Sequence, residues 1–189
     1  GIPPLTLMWI AGLANLLGKT SEGGLSAAAL GAGHHAHTLL HMLAHAGILH
    51  IVMNSSVLLA LAAPALTYMG RPPLSWLRFF ALYFVSGLAG AALFLLLNPA
   101  GQVPMVGASG AISGLIGLFS RLRPDGSGLA PVGSRENRER VWEFIKANLL
   151  LIALITVPIL LLGGTGGIAW EAHLGGFLAG LVAFYVLDP

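Results

Sequence analysis

Six apolar stretches, parted by short breaks of glycine, proline or charge, decide which solvent this chain can fold in. They run over about 2–18, 45–66, 75–97, 107–121, 143–162 and 168–187. A helix needs roughly 20 apolar residues to cross the hydrocarbon of a bilayer, and each stretch meets or approaches that length. Only 8% of the residues are charged, where a water-soluble domain carries about 25%. Such a composition cannot cover a soluble surface, so the expected class is an all-α integral membrane protein. One bundle over 1–189 is the expected domain organisation. There is no cysteine, which removes disulfides and thiolate metal sites. The chain begins at Gly1 rather than Met, and is expected to be trimmed.

The breaks carry the orientation. Of the nine Lys and Arg residues, Arg71 and Arg78 flank the second break. Arg121, Arg123, Arg135, Arg138, Arg140 and Lys146 belong to the fourth, and only Lys19 falls in an odd-numbered one. Positive residues stay on the cytoplasmic side. Six spans with both termini inside are therefore expected, and the Ala/Gly-rich minimal chain suggests a bacterial inner membrane.

The fourth span is short. Gly107 to Phe119 is 13 residues, or roughly 20 Å at the helical rise, against about 30 Å of hydrocarbon. With a charged inner end, it must start below the outer surface, under the Pro/Gly-rich "NPAGQVP" (98–104). Irregular backbone at that depth needs protein cover or a water-filled cavity. A polar recess opening outward is expected there, with Ser109 in the first helical turn.

Polar side chains in spans are functional hypotheses by default, and several share this depth. The second span brings His45, His50 and Asn54, the latter two on one helical face. The sixth brings His173 in its second turn. No comparable cluster falls in the inner half. Gly110, Gly114 and Gly117 of the fourth span, and Ala172, Gly176 and Gly180 of the sixth, form small-residue faces that let helices approach closely. If those faces meet, Ser109 and His173 come within hydrogen-bond reach, as nucleophile and base do. The helix start directs N–H groups at Ser109, and His50 and Asn54 add donors for a developing oxyanion. Taken singly, each residue reads as packing or an interhelical bond; the shared depth favours chemistry for the set. Glu171 points to another face than His173 and cannot orient it, so a hydrolase here runs on a Ser–His dyad.

The "HHAHTLLHMLAH" run (34–45) holds His34, His35, His37, His41 and His45. The last three recur every four residues, as ligands on one helix face would, and a metal or haem site is one reading. The favoured reading for His34, His35 and His37 is an interfacial helix bonded to the first loop.

The motifs "GASG" (107–110), "AHLGGFLAG" (172–180) and "HAGILHIVMN" (45–54) stand in order on the fourth, sixth and second spans. With them the whole chain resembles the rhomboid intramembrane serine proteases. That resemblance implies a six-helix bundle with a short central fourth helix, Ser109 as nucleophile and His173 as base. It implies an oxyanion hole of His50, Asn54 and the Ser109 N–H, with His45, Gly107, Gly110, Gly176 and Gly180 in support. The implied partners are transmembrane protein substrates and the bilayer, with no cofactor, metal or nucleic acid. Three departures stand out: no Trp-Arg pair in the first loop, no acidic residue in "APALTYMG", and Ser113 where an aromatic often follows the nucleophile. Sideways access beside the fifth span is expected, with Pro158 and "LGGTGG" (162–167) letting that side move. The competing readings are a non-catalytic rhomboid-like adaptor and a His-rich metal- or haem-binding membrane protein.

Overall fold

A computed structural model describes residues 23–123, 125 and 127–187, together with Thr6 and Trp9. The expected first span, 2–18, lies outside the described residues. Among them the secondary structure is helical, apart from two isolated antiparallel bridges. Two short helices come first, α1 (Ala27–Gly31) and α2 (His37–Leu40). The long α3 (Ile48–Tyr68) and α4 (Leu74–Leu97) follow, then the short α5 (Ser109–Phe119). A long rod, α6 (Arg135–Leu161), and the closing helix α7 (Trp170–Leu187) complete the order. By length and composition α3, α4 and α6 suffice to cross a membrane.

The centre of the bundle is α5. Gly110, Ala111, Ile112, Ser113, Gly114, Leu115, Gly117 and Leu118 are all buried, so this helix touches neighbours on every side. Leu115 and Leu118 pack with Ile51, Leu58, Phe79, Leu82 and Tyr83 of α3 and α4. Against α7 the fit is made by glycines. A Cβ at Gly176 would run into the carbonyl of Gly110, and one at Gly180 would lie 2.7 Å from the Gly114 Cα. On the far side of α7, a Cβ at Gly175 would lie 2.9 Å from the Gly90 Cα of α4. Three backbones thus meet without side chains between them, the close packing that small residues permit. The contribution of α4 through Gly90 extends the two-helix seam expected from sequence.

Two boundaries differ from the expected ones. The "HHAHTLLH" stretch is not one long helix: α2 is four residues long and its C-cap is already His41. The fifth span was expected at 143–162 after an irregular loop, but α6 begins at Arg135. Ser134 caps it, accepting the Asn137 N–H at 3.2 Å. Charge in the first two turns (Arg135, Glu136, Arg138, Glu139, Arg140) hides the helix from a hydropathy reading, since an Arg/Glu-rich turn is as helical as an apolar one. Near its other end α6 widens into a π-turn over Ile152–Thr156. That turn contains Leu154, whose carbonyl would meet the Pro158 ring in a regular α-helix.

Candidate functional site

Ser109 is the first residue of α5, and no side chain caps that helix start. Its hydroxyl therefore serves another partner. The Oγ lies 2.8 Å from Nε2 of His173 on α7. The glycine seam makes this approach possible, since α7 carries Ala172, directly before the histidine, and Gly176, about one turn after it, against Gly110. Ser109 is half-buried and His173 is buried, 7% exposed. A hydroxyl reachable from outside and a base shielded behind it is the order a nucleophile–base pair requires.

The other ring nitrogen is also engaged. Nδ1 of His173 lies 2.6 Å from Oδ1 of Asn148, on α6. The Asn148 Nδ2 donates to the Phe144 carbonyl at 3.0 Å, which turns Oδ1 toward the imidazole. Nδ1 must then carry the proton, and Nε2 is left to accept the Ser109 O–H. No motif pointed to Asn148. It is a lone amide in "IKANLLLIALI", and the same rule that singled out Asn54 would have found it. With the span placed at 143–162, Asn148 sat near the inner end, far from the cluster's depth. With the helix at Arg135–Leu161 it is the central residue, thirteen from either end.

Beside Ser109, two donors converge. His50 Nδ1 accepts the Ala46 N–H at 3.3 Å, so its Nε2 carries the proton and donates. Asn54 is buried, and its Nδ2 has no partner among the described residues. Gly107 has φ +116°, a left-handed conformation. A Cβ there would fall 2.7 Å from His50 Nε2 and 3.3 Å from Asn54 Nδ2. Both donors therefore face one small space that exists because residue 107 has no side chain. By helix geometry the first N–H groups of α5, beginning with that of Ser109, lack intrahelical acceptors. An anionic oxygen placed there would meet donors from two helices.

His45 supports this wall from behind. It is buried, donates Nδ1–H to the Leu43 carbonyl at 3.0 Å, and packs its ring edge-on to His50 with centroids 5.0 Å apart. The preceding segment is tied to the loop before Ser109 as well: the Gly107 N–H donates to the His41 carbonyl at 2.8 Å, and Leu25 and Met105 exchange two bonds of 2.9 Å. Two of the remaining histidines bond backbone carbonyls. His37 Nδ1 bonds the Gly24 carbonyl at 2.8 Å and His41 Nδ1 the His37 carbonyl at 3.0 Å. His34 stacks on His37. Among the described residues no three His, Asp or Glu side chains converge as metal ligands would. Glu171 accepts from Asn98 Nδ2 at 3.1 Å. Ser113 is buried in α5.

Comparison with known proteins gives concordant results. A family model described as the Rhomboid domain matches residues 32–189. RHOMBOID-like protein 5 of Arabidopsis thaliana is 31% identical over 144 residues, covering 76% of this chain and 41% of that protein. RHOMBOID-like protein 4 of the same plant is 29% identical over 147 residues, covering 76% of this chain and 32% of its own length. The chain thus spans less than half of each of these curated relatives.

Proposed function

The chain belongs to the rhomboid family, and from that premise we propose that it is an intramembrane serine protease cleaving transmembrane segments of other proteins. The observation that carries this reading is the 2.8 Å bond between Ser109 Oγ and His173 Nε2, set beside two converging donors. In this reading 1–189 is one membrane domain. Six spans place both ends on the Arg-rich inner side, in a bacterial inner membrane, and the site opens outward.

The geometry supports the following reaction. His173 Nε2 takes the Ser109 proton as Oγ attacks the scissile carbonyl carbon. The C=O electron pair moves to oxygen, and the anion is held by His50 Nε2–H, Asn54 Nδ2–H and the Ser109 N–H. Collapse breaks the C–N bond, and the proton on Nε2 passes to the leaving amine. Water, deprotonated by the same nitrogen, then hydrolyses the acyl-enzyme and restores Ser109. A substrate helix has its carbonyls occupied, so it must unwind locally before one can enter the donor space.

The test uses reconstituted protein, a panel of model transmembrane substrates and a fluorophosphonate label. Wild type is expected to cleave and to be labelled at Ser109. Ser109→Ala and His173→Ala should each lose at least about 10⁴-fold in cleavage rate while keeping the helical fold. Cleavage retained by Ser109→Ala would sink the proposal. An adaptor without catalysis would give no labelling at all.

A further inference from the structure

We infer that Asn148 is a positioning residue for this site, holding His173 from α6 in the tautomer that can take the serine proton. The inference rests on the Ser109–His173 reading above and adds a third residue, on a third helix, to it. Among the described residues no carboxylate bonds the His173 ring. Glu171 is turned to Asn98, and an amide fills the role.

Three observations carry it. The bond is short, 2.6 Å, and joins the one ring nitrogen that Ser109 does not use. Its polarity is fixed by the second amide bond, Nδ2 to the Phe144 carbonyl, so only the Nδ1–H tautomer fits. And its reach is fixed one turn away: Phe144 stacks on Phe177 with centroids 4.0 Å apart and an interplanar angle of 15°. Phe144 and Asn148 are spaced i, i+4 on α6, as Phe177 and His173 are on α7. The two helices run past each other along one stripe, an aromatic stack below and the amide–imidazole bond above. The stack sets the spacing at which the amide meets the ring.

An imidazole free to adopt either tautomer spends part of its time with Nε2 protonated, and then it cannot accept from Ser109. Loss of the tautomer lock in a charged triad is severe; a neutral amide contributes one hydrogen bond, so a smaller effect is expected. The groups facing His173 are Ser109 from α5, Asn148 from α6 and the nearby His50 imidazole from α3. On its own helix the closest carboxylate, Glu171, bonds elsewhere.

The experiment measures the fluorophosphonate labelling rate of the reconstituted full chain against pH, kcat and KM on one model transmembrane substrate, and the ¹⁵N shifts of His173. Asn148→Leu, whose side chain suits the membrane, should slow labelling and kcat by about 10- to 100-fold with KM unchanged. The His173 spectrum should move from a single Nδ1–H form toward a mixture. Asn148→Asp keeps the acceptor and should keep labelling, with its acidic limb moved to higher pH, because a carboxylate favours the imidazolium. Wild-type rate and pH profile in Asn148→Leu would overturn the inference alone. So would slowed labelling with an unchanged His173 tautomer, which marks a merely structural amide. Wild-type protein that takes no label removes the parent reading, and this inference with it.

Discussion

Two of the helices that deliver side chains to the site are held in opposite ways. The central α5 meets α7 backbone to backbone, with Gly110, Gly114 and Gly117 facing Ala172, Gly176 and Gly180. The outer rod α6 has only 6% of its apolar window buried, against 33% for α3 and 39% for α4. It is fastened at its charged end, where Asn137 bonds Ser120 and Arg140 bonds the Phe119 and Leu122 carbonyls. Above that it reaches α7 through Phe144 and Asn148, and its far end through Thr156, which accepts the Ile168 N–H at 2.9 Å. The proposed Ser109–His173 pair thus sits on a glycine-packed seam, while Asn148 comes from a helix that is mostly exposed.

The seam should break hardest. Gly176→Val would place a branched side chain against the Gly110 carbonyl, and backbone cannot yield as a flexible side chain does. We predict loss of the folded bundle, read as failure to purify as a monodisperse, thermally cooperative species. Leu150→Ala or Leu154→Ala on the exposed face of α6 should stay within about 0.5 kcal/mol of wild type. Equal damage from both sets would erase the contrast between the two regions.

Next in size is Gly107→Ala. The fold should survive with a cost of about 1–3 kcal/mol for the left-handed backbone. The methyl would occupy the space that His50 Nε2 and Asn54 Nδ2 face. Removing one oxyanion donor costs about 10²–10³ in kcat, and filling the hole should cost at least that. A Gly107→Ala enzyme cleaving at wild-type rate would show that the donors face an irrelevant corner.

The asymmetry also explains what the sequence allowed to be read. Residues on the seam announce themselves, because close approach demands glycine at fixed spacing and a polar side chain in a span is costly. Ser109, His173, His50 and Asn54 could all be placed on their helices from depth and periodicity. Asn148 is visible only as a polar residue in a span: its depth is obscured because the start of α6 is hidden in charge, and its pairing with α7 follows one aromatic stack rather than a repeated glycine spacing. The four-residue recurrence in the histidine run does not mark one helix face, because α2 stops at Leu40. The partnership of α4 in the seam was legible in "SGLAG" (86–90) once a third helix was sought.

A milder cut tests whether α6 acts through its docking. Phe144→Ala removes the stack on Phe177 and should lower the labelling rate roughly tenfold, by loosening the Asn148 bond. In the Asn148→Leu background the same change should add little, because the bond it weakens is already gone. Strictly multiplicative effects would separate the stack from the amide. The small label is chosen because it does not need the opening that a transmembrane substrate needs.

The smallest effect concerns pH and the loop in front of α3. His41 is buried, and burial holds its imidazole below the usual value of 6.5, with the His37 and Thr38 backbone bonds opposing in part. The sign follows from which state binds more protons. As pH falls through the ordinary histidine range, the unfolded chain takes up a proton that the buried ring refuses, so stability drops. It is complete above about 6.5 and falls until the depressed folded-state value is reached. The His41 carbonyl accepts the Gly107 N–H, so loosening this segment should also disturb the donor space before the bundle melts. We predict that His41→Gln flattens the acid-side loss of both thermal stability and labelling rate, with neutral-pH activity little changed. An acid-side loss unchanged in His41→Gln would move its origin from this segment to the histidines of the site, His45, His50 and His173.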